Sequence, residues 1–258
     1  MSTKTKLLQA FTRCARMADA EWEMAKLVGS VVDRAMQPED VDRLFAELCH
    51  EAEAQGVAGR DELLQFFLMK GFGQGWGGAA DLTHSSLEWA LRTGAALPIV
   101  IAVLLIQTAR RLGLEAEGIN FPGHFLLNIQ SELVDPISLQ VIKPSSLKDA
   151  PSKILLRRAS TRMIGLRMLN NIKNVYLGLQ DWRNVLEITD YQMAIASQDA
   201  QILASLHFER GECWQRLASK QAAIDEYVAC MAISDDQDLS AEASNRVETL
   251  SGAPAIVH

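Results

Sequence analysis

Apolar residues along the first seventy positions recur every third or fourth residue, the period of a helix with one buried face. Leu8, Phe11, Ala15, Ala18, Trp22 and Ala25 form one such stripe and predict a long helix. Met36-Gln-Pro interrupts it. Pro38 suits a first helical turn, and Glu39, Asp40 and Asp42 suit the positive end of a helix dipole. Val41, Leu44, Phe45 and Leu48 make the next stripe, and Leu63, Leu64, Phe66, Phe67 and Leu68 a third. Gly71 to Gly78 then holds five glycines in eight residues. A phosphate cradle needs a strand before the glycines and a helix directly after them. Here an apolar helix precedes and the polar stretch from Asp81 follows, so an irregular surface loop is expected.

A short helix is predicted from His84 to Arg92, capped by Thr83 or Ser85. The most apolar segment, Leu97 to Arg111, carries aliphatic residues all round and reads as a buried central helix starting at Pro98. Two short apolar runs flank Gln130-Ser131 and predict a β-hairpin, with strands near 122–129 and 132–135. A further short strand is expected at 139–143, with Pro144 or Pro151 closing the domain. From about residue 158 the pattern is helical again and repeats. Tyr176 to Glu187 aligns with Trp214 to Asp225, each with an aromatic ending one helix, a short turn, and a small apolar residue (Val185, Ala223) early in the next. Tetratricopeptide units share this grammar, and Asn170, Asn171, Lys173 and Asn174 are candidates for lining a peptide groove.

Composition narrows the function. With 48% hydrophobic and 22% charged residues the chain is globular. Twenty-five basic against 32 acidic residues give a net charge of -7. That argues against nucleic acid, whose phosphates need clustered Lys and Arg. The longest apolar run, Ala95 to Ile106, is too short for a bilayer span and contains Pro98. The first ten residues lack a secretory core. Cys14, Cys49, Cys213 and Cys230 are scattered, with no CxxC pair, and read as reduced thiols of a cytoplasmic protein. No metal site and no cofactor is expected.

The chemistry-bearing pattern is the hairpin. Turning at 129–131, it sets His124 and Asp135 within a residue or two of opposite each other, where cross-strand neighbours stand about 5 Å apart at Cβ. An imidazole oriented by a carboxylate is the base-and-orienter half of a catalytic triad. A buried hydrogen bond that merely holds the hairpin would use the same two residues. The nucleophile would enter at the start of the buried helix, where a helix N-terminus lowers a thiol's pKa. No cysteine stands there.

Several strings together resemble the SirB family of bacterial transglutaminase-like proteins: Leu64-Gln-Phe-Phe-Leu-Met-Lys-Gly-Phe, Gly94-Ala-Ala-Leu-Pro-Ile, Ala109-Arg-Arg-Leu-Gly-Leu, Gly118-Ile-Asn-Phe-Pro-Gly-His-Phe-Leu, Asp135-Pro and Arg167-Met-Leu-Asn-Asn-Ile-Lys-Asn-Val-Tyr. The resemblance spans roughly residues 20–235. It implies an α+β, predominantly helical fold: a papain-like core with a small antiparallel sheet over 1–157, then tetratricopeptide-like helices over 158–258. His124 matches the superfamily histidine and Asp135 its aspartate. The nucleophilic cysteine has no match, Val100 occupies the family's hydroxyl position, and the asparagine-serine pair appears as His84-Ser85.

The expectation is therefore a pseudoenzyme that binds another protein or peptide, with Asn120, His84 and Ser85 as candidate binding residues. Oligomeric state stays open. The alternative is a hydrolase or acyl-transfer enzyme using His124 and Asp135 with Ser85, Ser86, Thr93 or an activated water in place of the thiol.

Overall fold

A computed structural model describes residues 3–73, 81–121, 123–143 and 157–252 of the chain. Helices α1 (Thr3–Cys14), α2 (Glu21–Val32), α3 (Pro38–Ala54), α4 (Arg60–Met69), α5 (Leu87–Thr93) and α6 (Pro98–Arg111) come first. Strands β1 (Ala116–Phe121), β2 (His124–Ile129), β3 (Glu132–Asp135) and β4 (Gln140–Val141) follow. Helices α7 (Thr161–Gly178), α8 (Trp182–Ile195), α9 (Ala200–Arg216), α10 (Lys220–Ile233) and α11 (Gln237–Ser251) complete the described chain. The fold is predominantly helical with one small antiparallel sheet, as expected. Most of the glycine-rich stretch, the ends proposed at Pro144 and Pro151, and the last six residues lie outside the described residues.

Two compact units emerge: one built on Arg13–Met168, the other combining the segment up to Thr12 with the chain from Leu169 onward. The division runs inside α7, and α1 goes with the second unit. The first apolar stripe is not one helix. The chain turns between Cys14 and Glu21, where Asp19 takes a φ of 54°. Phe11 packs against Tyr191 with ring centroids 5.2 Å apart in the helical unit. Met24, Ala25 and Val28 are buried in the sheet-bearing unit.

In that unit α6 is the central element. Every residue from Ile99 to Ile106 is buried, and each aliphatic side chain removed from water contributes roughly 1.5–3 kcal/mol. Pro98 occupies the first helical position, where its missing N–H costs nothing. Thr108, the one hydroxyl in this apolar helix, satisfies itself on the Leu104 carbonyl at 2.8 Å. The C-terminal end is tied by Arg110, which bridges the buried Glu21 carboxylate (3.1 and 3.2 Å) and the Ala116 carbonyl (3.0 Å).

The strands lie in the order β1-β2-β3-β4, all antiparallel. Gln130 and Ser131 form the expected two-residue turn, both at positive φ, the handedness that matches strand twist. β1 carries no clear apolar alternation in the sequence because its helix-facing positions are small. A Cβ on Gly118 would stand 2.6 Å from the Phe125 ring and 3.5 Å from Ile106 of α6. Glycine here lets the neighbouring strand's phenyl ring lie over the backbone. Residues 157–159 return beside β1, with Ala159 N–H donating to the Gly118 carbonyl at 2.7 Å.

Leu82–Ser85 is a separate 3-10 turn, and α5 is capped by Ser86, not by Thr83 or Ser85. Asp81 competes successfully for the earlier cap through its carboxylate on Thr83 N–H at 2.6 Å. Among the described residues no single helix is long and apolar enough to cross a membrane; α5 and α6 together do so only across an 81° bend.

In the helical unit the turn after α7 and the turn after α9 match. Gln180 and Ala218 adopt φ of 55° and 56°. Asp181 N–H donates to the Tyr176 carbonyl and Ser219 N–H to the Trp214 carbonyl, each at 2.9 Å. Val185 and Ala223, the small apolar residues of the sequence repeat, are both buried. The sequence repeat is thus a repeat of turn geometry.

Candidate functional site

β1 runs back along α6, with Gly118 beside Ile106. Three strand residues beyond Gly118 cover about 10 Å and eight helical residues before Ile106 about 12 Å. β1 thus runs from Ala116, bonded by Arg110 near the C-terminal end of α6, toward the helix's N-terminal end. That end is met by the 3-10 turn, where the His84 carbonyl accepts from Leu97 N–H at 2.9 Å. The turn thus places His84 and Ser85 beside the start of the central helix, while Asn120 and His124 lie on the two strands of the hairpin.

The expected dyad does not form. The register pairs Leu127 with Val134 and Phe121 with His124. Continued, it sets Asp135 opposite Leu126, so His124 and Asp135 share a face but stand on a diagonal. Asp135 spends its carboxylate locally, accepting from Ile137 N–H (2.9 Å), Ser138 N–H (3.4 Å) and Ser138 Oγ (2.9 Å). The aspartate closes the turn into β4, a bond available within its own four residues and hence entropically cheaper than one across strands. The His124 ring is exposed and makes no hydrogen bond among the described residues; its neighbour is Phe121, with ring centroids 6.4 Å apart.

Strand alternation adds a second difference. Gly118, Phe125 and Leu127 face α6, so Ile119, Phe121 and Leu126, and with them His124, belong to the opposite face. The helix start itself is aliphatic: Leu97, Ile99 and Val100 are buried. Ser86 Oγ accepts from Trp89 N–H and Thr93 Oγ1 donates to the Trp89 carbonyl. Ser85 is buried, and no bond joins it to His124 among the described residues. His84 serves its own turn, its Nδ1 accepting from Asp81 N–H at 3.2 Å.

The thiols are elsewhere and inert. All four cysteines are free and buried. Burial pushes Cys14, Cys49 and Cys213 up to about 11, the reverse of what a nucleophile needs. Among the described residues no cluster of His, Cys, Asp or Glu could hold a metal ion.

Asn120 does hold a site contact. Its Oδ1 accepts from an Arg167 guanidinium nitrogen at 2.9 Å, and that nitrogen also donates to the Phe121 carbonyl at 3.2 Å. Arg167 lies in the resemblance strings, outside the site residues that they imply. A signal was available: it stands three residues after Ile164 and one before Met168, on the apolar stripe of a helix, where a cation is out of place. At the other end of the strands a polar cleft of about 550 Å³ is lined by Asp19, Arg110, Glu115, Glu117, Asn128 and Arg158. In the helical unit a cleft of about 490 Å³ involves Lys4, Arg183, Arg210 and Trp214. The groove residue expected at Lys173 is instead buried and paired with Glu209.

A sequence profile of the transglutaminase-like superfamily matches residues 37–170, just over half of the chain, and covers α3 to α6, the whole sheet and Arg167. Two strains of Xylella fastidiosa have a "UPF0162 protein" 26% identical over 164 and 161 residues. The aligned stretch covers 57% of this chain and 57% of the first relative, and 55% and 56% for the second. The match thus spans less than two thirds of the length of these relatives. A "UPF0162 protein" of Vibrio cholerae is 23% identical over 248 residues, covering 82% of this chain and 87% of that one. No solved structure matches. With a helix-packed antiparallel sheet and the superfamily profile extending across it, the chain belongs to the transglutaminase-like superfamily.

Proposed function

We propose that this protein is a non-catalytic member of the superfamily, of the SirB type, that works in the bacterial cytoplasm by binding a protein or peptide. One observation carries the reading: at the N-terminal end of α6, where acyl-transfer chemistry needs a thiolate beside the histidine, the chain places buried aliphatic residues. An alkyl group has no lone pair with which to attack an acyl carbon. His124, which makes no hydrogen bond among the described residues, and the raised thiol pKa values support the same reading. The matched turns at Gln180 and Ala218 support a tetratricopeptide-like character for the helical unit, an architecture suited to peptides. The four unbridged cysteines support a reducing compartment.

The test is an acyl-transfer and hydrolysis assay on the full chain. Glutamine-donor peptides with a fluorescent amine, and a panel of activated esters and peptide amides, are incubated with wild type and His124→Ala. The expected result is background turnover, identical in both. Turnover that disappears in His124→Ala overturns the reading in favour of a hydrolase or transferase.

A further inference from the structure

Arg167 is a cation in an unusual electrostatic position. Lys26, Arg60, Arg110, Lys173 and Arg210 are also sheltered, and each has a carboxylate at ion-pair distance. Arg167 has none among the described residues. Its described partners are neutral: the Asn120 amide oxygen, the Phe121 carbonyl, and the Phe125 ring, whose centroid lies 5.7 Å from the guanidinium carbon. Burial with nothing to offset it pushes this guanidinium's pKa down. Sheltered charges are ordinarily paired, because desolvation is otherwise uncompensated.

The donor count shows what remains open. One terminal nitrogen gives both of its hydrogens to Asn120 and Phe121. Nε–H and the other terminal nitrogen make no hydrogen bond among the described residues. Those two form the edge of the guanidinium that presents parallel donors, the geometry that matches a carboxylate's two oxygens. Asn120 and the Phe121 carbonyl fix the guanidinium plane, so little rotamer entropy is left to lose on binding.

We propose that Arg167 is the anion-receiving residue at the hairpin tip, and that its ligand presents a carboxylate, as a peptide terminus or acidic side chain does. A single guanidinium edge balances one negative charge, which favours a carboxylate over a dianionic phosphate. The proposal deepens the binding-protein reading and rests on this end of the sheet being a binding site. Its readout is a resonance and not turnover. Catalysis in the assay above would sink the non-catalytic reading and leave this proposal standing, and failure here would do the reverse.

The experiment is nuclear magnetic resonance on the full ¹⁵N-labelled chain, titrated separately with sodium acetate and inorganic phosphate at constant ionic strength. The Arg167 Nε–Hε peak, assigned by its loss in Arg167→Lys, is followed beside that of Arg43, an exposed guanidinium already paired with Asp40 and Glu47. The expected result is a saturable acetate shift at Arg167 and at the Asn120 side-chain amide, with no saturable shift at Arg43. In Arg167→Lys the Asn120 response should need about tenfold more acetate, because a point charge lacks the fork. No saturation with acetate, or a response to phosphate alone, overturns the carboxylate assignment. Equal acetate affinity in Arg167→Lys overturns the role of the fork. If Arg167→Lys fails to fold, Arg167→Gln assigns the peak and the wild-type titration decides.

Discussion

His124 in the sheet and His207 in the helical unit make opposite use of the same chemistry. His207 Nδ1 lies 2.7 Å from Glu226, and Arg210 meets the other oxygen of that carboxylate at 2.7 Å. Arg210 also reaches Asp190 (2.6 Å), Thr189 Oγ1 (3.0 Å) and the Leu186 carbonyl (3.3 Å), joining α8, α9 and α10. Lys4 closes the set on Asp190 at 2.5 Å. Both oxygens of Glu226 and both of Asp190 are engaged by cations or His207, so the cluster is a clasp between helices. At the hairpin tip the histidine is unbonded among the described residues, the aspartate is engaged in its own turn, and two nitrogens of the arginine, Nε and one terminal nitrogen, make no hydrogen bond among the described residues. A histidine beside a carboxylate is therefore no mark of function by itself. Unspent hydrogen-bonding capacity on a fixed frame is the better sign.

The largest effect should come from the clasp. Arg210→Ala removes the cation shared by two sheltered carboxylates, and urea denaturation of the full chain should show a loss of about 3 kcal/mol, the scale for breaking a buried pair. A loss under about 0.5 kcal/mol, the range of ordinary surface substitutions, would reduce the clasp to decoration. The pH dependence sharpens this further. Burial alone would push the Glu226 carboxyl up, but the bonds from His207 and Arg210 outweigh it and hold it below its ordinary 4.5. A depressed pKa gives stability that is fully present above the unfolded value and is lost as pH falls through the folded one. Wild type should therefore lose stability as acid is added below about 4.5, and Glu226→Gln should lose less over the same window. Equal acid slopes in the two proteins contradict the assignment.

The hairpin tip should give the smallest effects. Asp135→Ala removes three local turn bonds and should cost about 1 kcal/mol, comparable to a lost cap. His124→Ala should stay within about 0.5 kcal/mol of wild type, as an exposed side chain does. In a double-mutant cycle the two should add, with a coupling of about zero, whereas His207 and Glu226 should couple by about 1–3 kcal/mol. A coupling at His124 and Asp135 as large as that at His207 and Glu226 would restore the dyad.

The sequence announced what rests on local period and local turn chemistry. The all-aliphatic run after Pro98 gives the buried helix, Gln130-Ser131 the hairpin turn, and the aligned aromatic positions 176 and 214 the matched turns. It concealed what depends on partners distant in sequence. β1 stayed hidden because Gly118 contributes space for the Phe125 ring and no hydrophobic signal. The stripe from Leu8 to Ala25 is genuine, yet its two halves belong to different cores, and periodicity carries no mark of which core a face meets. Of the site, the family resemblance draws attention to His124, Asn120 and the His84-Ser85 turn, and the structure adds the bond from Arg167 to Asn120. The sequence pattern sets Asp135 against His124 as its partner, whereas Asp-Pro-Ile-Ser closes on itself through local bonds. Arg167 stood out only as a cation on an apolar stripe.

The central claim is that no nucleophile serves His124, and covalent labelling tests it most directly. The folded chain is treated at neutral pH with a fluorophosphonate and, separately, with iodoacetamide, and labelled residues are mapped by mass spectrometry in wild type and His124→Ala. The account predicts no label at Ser85, Ser86 or Thr93, slow and equal labelling of the four buried cysteines, and no difference between the two proteins. A single residue labelled stoichiometrically in wild type and spared in His124→Ala would contradict it.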